Sequence, residues 1–309
     1  MRHPINKIKI MSDDKDKMFL NFRSMLSYRK SFRGWLGVLY KVAKRDYPFE
    51  VHMKDGKKYM VYGHAQVYFL LKGLEVPSYR ADNGDILLQY KDRTIQFRDA
   101  LENGEIYEIF IEEAYEDLAI VGSNITDVGA NIGDSSVYFA LNGAKRVIAI
   151  EPQIKSYSSL ITNIELNGFK DIIIPVRAGV GSRREISFVN SSKDNPSGGT
   201  SLNKKRGKEA LEIIDLNYIV ENFLSDVNLL KIDCEGCEYD FLLNASIEDL
   251  RHFKKIMVEY HYGSEKILNK LKQAGFETIC KPGMIGYNTE SKPHFMSTGI
   301  ITATLKDRQ

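Results

Sequence analysis

The sequence predicts an α/β protein in which a largely parallel sheet, covered by helices, follows a small N-terminal α+β module. Three observations carry this. From Leu118 onward, short Val/Ile-rich runs alternate with segments of helical period, the pattern of a parallel sheet with both faces covered. One of those runs passes directly into a glycine turn and a helix, Ile125-Thr-Asp-Val-Gly-Ala-Asn-Ile-Gly-Asp134. Before Asp117 the pattern differs, with a basic amphipathic stretch followed by paired short strands.

In the first part, Phe19, Phe22, Leu26, Phe32, Leu36, Leu39 and Val42 recur at near-helical spacing, and Gly34 and Gly37 are expected to interrupt. Trp35 lies among Arg33, Leu36 and Leu39, which suits either a membrane interface or a helix packed on its own domain. Phe49–Lys54 and Lys58–Tyr62, joined at Asp55-Gly56, read as a hairpin, and Ile86–Tyr90 with Thr94–Phe97 as a second.

Beyond Leu118, seven strands are expected, at Ile125–Val128, Arg146–Ile150, Ile172–Val176, Leu229–Ile232, Ile256–Glu259, Phe276–Cys280 and Ile300–Leu305. Helices are expected at 134–142, 154–167, 216–224, 238–245 and 264–274. No helical pattern separates the last two strands, so they should pair antiparallel. Residues 191–209 contain one apolar side chain, Leu202, and read as a long mobile loop, a candidate lid. The chain thus divides into an N-terminal module, 1–117, for substrate recognition or partner contact, and a second domain, 118–309.

Composition narrows the class. Of 309 residues, 43% are hydrophobic and 27% charged, enough apolar material for a large core and inconsistent with disorder or collagen-like repeats. Three cysteines make no disulfide framework, and the odd count fits a reducing cytoplasm. No run approaches the ~20 apolar residues that span a bilayer, and the polar start lacks a signal-peptide stretch. A cytoplasmic protein is expected. The formal net charge of +2 hides an asymmetry, with +8 over residues 1–46 against −6 for the remainder. Such an arm suits an anionic partner such as a phosphorylated substrate, a nucleic acid or a membrane surface, as it also suits solvated helix faces.

The glycine turn selects the ligand. Gly129 permits close backbone approach to a ligand, and Gly133 lets the helix start near the sheet. Glu151, in Glu151-Pro152 at the end of the next strand, lies 24 residues after Asp127, where an acid accepts hydrogen bonds from two ribose hydroxyls. A dinucleotide places a pyrophosphate at such a turn and is poorly served by an acid there. Here Asp127 directly precedes the turn, and the spacing is G-x-x-x-G. S-adenosylmethionine carries an ammonium and a sulfonium but no phosphate, so the acid favours it over NAD.

Two neighbouring strand ends should then bring Asp233, Glu235, Glu259 and His261 to one rim. His261, with an ordinary pKa near ~6.5, suits a general base. Asp233 and Glu235 suit a divalent ion that acidifies a substrate hydroxyl. Spacing leaves both open. Cys234 and Cys237 form a C-x-x-C, but Asp233, Glu235 and Glu238 crowd the sulfurs, and the cysteines read as small buried residues.

In order and spacing, Asp127-Val-Gly-Ala-Asn-Ile-Gly-Asp134, Glu151-Pro152, Asn163-Ile-Glu-Leu-Asn-Gly168, Lys231-Ile-Asp-Cys-Glu-Gly236 with Glu238, and Glu259-Tyr-His261 resemble the FkbM-type S-adenosylmethionine-dependent methyltransferases. The resemblance implies a class I, Rossmann-like seven-stranded sheet with its last strand antiparallel. It also implies methyl transfer to a hydroxyl oxygen, on acceptors such as polyketides, sugars and glycan or lipid-linked saccharides. Asp127, Gly129, Ala130, Asn131, Gly133, Glu151 and Pro152 would hold the cofactor, with Ala178 near the adenine, and Asp233 and Glu235 would face the transferred methyl. The basic arm with Trp35, and the run Lys204-Lys-Arg206, fit a lipid-linked or nucleotide-linked acceptor and peripheral contact with an anionic membrane. An RNA methyltransferase is the main rival, but Asp-Cys-Glu-Gly stands where an Asn-Pro-Pro-aromatic block would serve base N-methylation. A non-catalytic binding protein on the same fold is the other, opposed by the intact acid set.

Overall fold

The computed structural model describes residues 22–61, 63–71, 85–98, 100, 105–110, 113–189, 209–224, 228–288 and 294–306. The chain forms two compact units, one reaching Ala114 and one starting at Tyr115. The basic residues through Lys17, and most of the expected 191–209 loop including Lys204–Arg206, lie outside the described residues.

The first unit opens with helices α1 (Phe22–Ser31) and α2 (Trp35–Lys44). Gly34, at φ 63°, makes the break between them in a left-handed conformation that glycine adopts without a Cβ clash. Gly37, expected as a second interruption, lies inside α2, where a single glycine weakens a helix by only about 1 kcal/mol. Strands β1 (Phe32–Arg33), β2 (Phe49–Met53) and β3 (Lys58–Val61) form an antiparallel sheet, with the β2–β3 hairpin turning at Asp55-Gly56 as expected. Tyr28, Phe32, Val42, Phe49, Val51 and Val61 fill its core, and Trp35 packs half-buried against them. Leu36 and Tyr40, one turn apart on α2, stay 62% and 64% exposed. After α3 (His64–Leu71) comes the expected second hairpin, β4 (Ile86–Tyr90) with β5 (Arg93–Phe97), and then α4 (Glu105–Phe110).

The second unit begins with β6 (Asn124–Val128), α5 (Asp134–Leu141), β7 (Arg146–Ile150), α6 (Ile154–Asn167) and β8 (Ile173–Val176). Three short strands follow that were not anticipated from the sequence: β9 (Gly179–Val180), β10 (Glu185–Val189) and β11 (Glu209–Ile214), which form a separate sheet in the order β10-β11-β9. Glu209 is therefore a strand residue, not the end of the loop. The chain continues through α7 (Leu216–Phe223), β12 (Asn228–Ile232), α8 (Glu238–Asn244), α9 (Ile247–Arg251), β13 (Lys255–Tyr260), α10 (Glu265–Gln273), β14 (Phe276–Asn288) and β15 (His294–Leu305).

The main sheet has seven strands in the order β14-β15-β13-β12-β6-β7-β8. Only β15 runs antiparallel, against both β13 and β14, and the other pairings are parallel. Every residue of β6 and β12 is buried, because helices cover both faces of the central strands, which is why those strands read as unbroken apolar runs. Val128, Ile150, Leu230, Ile232, Phe253 and Val258 belong to the core so formed, each side chain contributing about 1.5–3 kcal/mol on burial. Among the described residues no helix is long and apolar enough to cross a membrane.

Candidate active site

Four parallel strands end level with one another. Ile150, Val128, Ile232 and Val258 are partners across β7, β6, β12 and β13. The next residue on each strand is Glu151, Gly129, Asp233 and Glu259, so the register alone lines the carboxyl edge with three carboxylates and one glycine. The edge lies where strand order reverses, with β7 and β8 on one side of β6 and β12 and β13 on the other. Open α/β sheets bind ligands at that crevice.

Gly129, at φ 76°, is required by the chain itself. A Cβ there would stand 1.8 Å from the Asp233 carbonyl oxygen, so the close approach expected of a ligand is made by the neighbouring strand's backbone. Gly133, at φ 90°, faces Leu160 of α6, where a Cβ would meet Cδ1 at 2.6 Å, and this tight entry into α5 is the role expected of it. Most of the turn's donors are already engaged: Gly129 and Ala130 N–H both donate to Ile150 O at 3.0 Å, and Gly133 N–H donates to Ala130 O at 2.8 Å. Asn131 N–H donates to Glu151 Oε2 at 2.9 Å. Such a turn has little to offer a pyrophosphate, which needs free N–H groups. Asn131 takes φ 48°, a left-handed conformation costing about 1–2 kcal/mol that places its N–H on Glu151.

Asp127 is fully buried, and its charge is answered within the protein. Lys231, its direct partner in the β6–β12 register, places Nζ 3.1 Å from Oδ1. Ser135 and Ser136 hydroxyls donate to Oδ2 at 2.6 Å each, and Lys231 Nζ also donates to Gly129 O at 3.1 Å. Asp127 thus braces the glycine turn, whereas the sequence suggested an acid held ready for the ligand's cations. Lys231 was missed as a functional residue, although a lone charge inside Leu229-Leu230-Lys231-Ile232 demands a buried partner. Asn163 is a second such residue. Buried on α6, it donates to Ile132 O at 2.8 Å and anchors the far side of the turn.

Glu151 is 6% exposed. Its two oxygens accept N–H donors from Asn131 at 2.9 Å and Gln153 at 2.8 Å, leaving lone pairs on both. Burial pushes its pKa up to about 7, against the pull of those two N–H groups and of Lys231. Pro152 follows it half-buried, and Ala178 is buried in the apolar cluster that includes Val128 and Ile150.

The other half of the edge is built around His261, 2% exposed. Glu238, fully buried at the start of α8, accepts the His261 backbone N–H at 3.0 Å and the Gly236 N–H at 2.8 Å. Its Oε1 also lies 2.9 Å from His261 Nδ1. A carboxylate accepts, so Nδ1 carries a proton and Nε2 points to the edge, 3.3 Å from Glu235 Oε2 and 3.9 Å from Asp233 Oδ1. Burial alone would lower the His261 pKa, but the Glu238 hydrogen bond and the charges of Glu235, Glu238 and Asp233 raise it to about 9. The imidazole is therefore moved well away from the ordinary value that suits a base near neutrality. Side-chain atoms of Asp233, Glu259 and His261 lie within 4.8 Å of one another. This grouping differs from the Asp233–Glu235 pair expected from spacing, because the parallel register sets Asp233 beside Glu259. Glu235 sits next to them on a left-handed backbone, φ 56°.

The cysteine reading is corrected. Cys234 and Cys237 are joined in a disulfide. The left-handed Glu235 and Gly236 between them (φ 56° and 119°) curl the loop until the two Cα atoms are 5.5 Å apart, within bridging range. Cys280 remains a half-buried thiol, its sulfur 3.8 Å from the Tyr260 hydroxyl.

Residues 127–278 match the methyltransferase FkbM domain. The chain is 27% identical over 187 residues to methyltransferase sdnD of Sordaria araneosa, covering 49% of this chain and 72% of that protein. Among solved structures, M. jannaschii TYW2 in complex with AdoMet is similar at 14% identity and a TM-score of 0.39, covering 74% of this chain and 89% of that one. Precorrin-6y C5,15-methyltransferase from Geobacter metallireducens is similar at 15% identity and 0.35, covering 60% and 81%. These structural likenesses are too distant to add to the strand order described above. The stretch that supplies Asp127, Glu151, Asp233, Glu259 and His261 is the stretch that matches the methyltransferase FkbM domain in sequence.

Proposed function

We propose that the protein is an S-adenosylmethionine-dependent methyltransferase that acts on a hydroxyl oxygen of a saccharide, glycan or lipid-linked acceptor. The observation that carries this reading is the edge row Glu151, Gly129, Asp233, Glu259, completed by His261. The residues present fit the cofactor: Glu151 has lone pairs for a ribose diol, and most donors of the turn are engaged, which suits a ligand without phosphate. When bound, S-adenosylmethionine supplies an electrophilic methyl group on a sulfonium.

The chain's own residues do the rest. Asp127 and Lys231 hold the turn rigid, Glu151 orients the nucleoside, and Asp233 with Glu235 offers negative charge where a sulfonium is tolerated. A rim of carboxylates around one imidazole suits an acceptor that gives up a hydroxyl proton. In the N-terminal unit, exposed Leu36 and Tyr40 beside Lys41 and Lys44 support an acceptor presented at an anionic membrane surface.

The test is transfer of a labelled methyl group. The purified protein, with S-adenosylmethionine labelled in its methyl, is offered lipid-linked saccharides, nucleotide sugars and total RNA. Label in a methyl ether of a saccharide or lipid-linked product is expected. Label confined to RNA bases, or none in any saccharide or lipid fraction, overturns the acceptor class.

A further inference from the structure

We propose that the Cys234–Cys237 disulfide is a reversible redox site whose closed form holds Glu235 on the acidic edge beside His261. The proposal rests on the methyl-transfer reading only for what the site controls, while the bond and its hold on the edge are open to test without turnover.

The bond is poorly placed for a staple. It joins residues three apart in sequence. A disulfide stabilises a fold chiefly by closing a long loop of the unfolded chain, and the gain shrinks as the loop shortens. Staples of this kind serve mainly small secreted domains whose cores cannot hold them together. Here both cysteines pack, half-buried, against the apolar core of the main sheet.

What the bond does is local. It closes the turn between β12 and α8, and that turn carries Glu235. Glu235 takes φ 56°, a left-handed conformation that residues other than glycine adopt mainly where the surrounding structure imposes it. From there its Oε2 stands 3.3 Å from His261 Nε2. Two further ties reach Gly236: its N–H donates to Glu238 Oε2 at 2.8 Å, and the Tyr262 ring lies so close that a Cβ would meet Cε2 at 2.9 Å.

A second link runs through Glu238. Cys234 Sγ lies 3.6 Å from Glu238 Oε2. In the disulfide that sulfur has no proton, but as a thiol it becomes a donor to the carboxylate whose other oxygen lies 2.9 Å from His261 Nδ1. Reduction thus acts on the imidazole from both sides. It releases Glu235 from the closed turn and adds a donor at Glu238.

The reductant is a dithiol, and the step balances within the two sulfur pairs. One of its thiols attacks, as thiolate, a sulfur of the bond; the other cysteine leaves as thiolate and takes up the proton. The second thiol of the reductant then displaces the remaining cysteine from the mixed disulfide. Two electrons pass to the protein, the reductant departs as its own disulfide, and re-oxidation is the reverse. Asp233, Glu235 and Glu238 flank the sulfurs, and their charge disfavours glutathione, which brings carboxylates of its own.

The test equilibrates the full chain with reduced and oxidised dithiothreitol at set ratios, then traps the thiols by alkylation and counts them by mass. One pair should titrate reversibly, with one free thiol, Cys280, at the oxidising end and all three cysteines free at the reducing end. Hydrogen exchange should be faster in the reduced chain by about tenfold or more over 233–238 and 259–263, and unchanged over 146–153. Cys234→Ser with Cys237→Ser should exchange like the reduced chain and ignore the reductant. Three free thiols at every ratio overturn the redox site. A pair that titrates without a change at 259–263 overturns the hold on the edge, and faster exchange throughout the second unit shows a staple instead. Methyl transfer should be about tenfold slower in the reduced chain, with affinity for S-adenosylhomocysteine unchanged; equal rates in the two states overturn the control of the reaction. Transfer in neither state, with thiol count and exchange as described, sinks the methyl-transfer reading and sustains the redox site.

Discussion

Glu151 makes the nucleoside half of the site testable by pH. Burial raises its pKa from 4.5 to about 7, so the unligated carboxyl is about half protonated at neutrality. A ribose diol donates to the ionised form, and binding should therefore return the pKa toward its ordinary value and expel a proton. With a free-state pKa of about 7, the ionised fraction is near one tenth at pH 6 and nine tenths at pH 8. Affinity for S-adenosylhomocysteine should then rise by about tenfold between those pH values, roughly 1.4 kcal/mol. The window lies below the His261 pKa of about 9, so His261 keeps its charge across it. Calorimetry in buffers of different ionisation enthalpy should count about half a proton released at pH 7. In Glu151→Gln the slope should vanish, and affinity at pH 8 should fall by the roughly 1.5–3 kcal/mol of hydrogen bonds to a charged group. The same shift sets stability without ligand. A carboxyl whose folded pKa is raised binds more protons folded than unfolded between pH 4.5 and 7, so its contribution is present at low pH and is lost as pH rises through 7. The difference between wild-type and Glu151→Gln stability curves should show this fall, of the order of 3 kcal/mol. A pH-independent affinity in the wild type, or a slope that persists in Glu151→Gln, refutes the assignment of this carboxylate to the ligand.

Three further outcomes follow from the same geometry. Gly129→Ala should destabilise the second unit by roughly 2–5 kcal/mol, combining a left-handed backbone with a Cβ driven into the Asp233 carbonyl; a thermal melt unchanged from wild type would refute that contact. Lys231→Met should cost about 3–5 kcal/mol by stranding the buried Asp127 charge, and adding Asp127→Asn should recover much of it; additive losses in the double variant would show that the two do not act as a pair. Leu36→Glu with Tyr40→Glu should leave stability within about 0.5 kcal/mol, because both side chains are largely exposed, yet abolish sedimentation with anionic vesicles. Equal sedimentation of this variant and the wild type would remove α2 as the membrane-facing element.

The parts legible in the sequence are those governed by local period. Arg146–Ile150 and Ile154–Asn167 fall where the apolar pattern puts them, since a buried parallel strand and an amphipathic helix each write their geometry into successive residues. The small β9–β11 sheet was not legible. β9 is two residues long, too short to show a period, and its partner β11 lies more than thirty residues further along the chain. The disulfide was hidden for a related reason: it depends on left-handed turns at Glu235 and Gly236, and only glycine announces such a turn in sequence.

At the site the division is the same. Sequence by itself determined which chemical groups are present and on which strand ends they ride: the glycine turn, Glu151, Asp233, Glu235, Glu259 and His261. The tertiary structure alone decided their surroundings, because these depend on register and burial between segments about twenty to a hundred residues apart. It paired Asp127 with Lys231 across β6 and β12, and so turned a candidate ligand group into a brace. It set Asp233 beside Glu259, and placed Glu238 behind His261, so that the other ring nitrogen faces the carboxylates. A carboxylate or an imidazole has no fixed chemistry in a sequence, since its charge follows from the distance and desolvation that only the packed chain supplies.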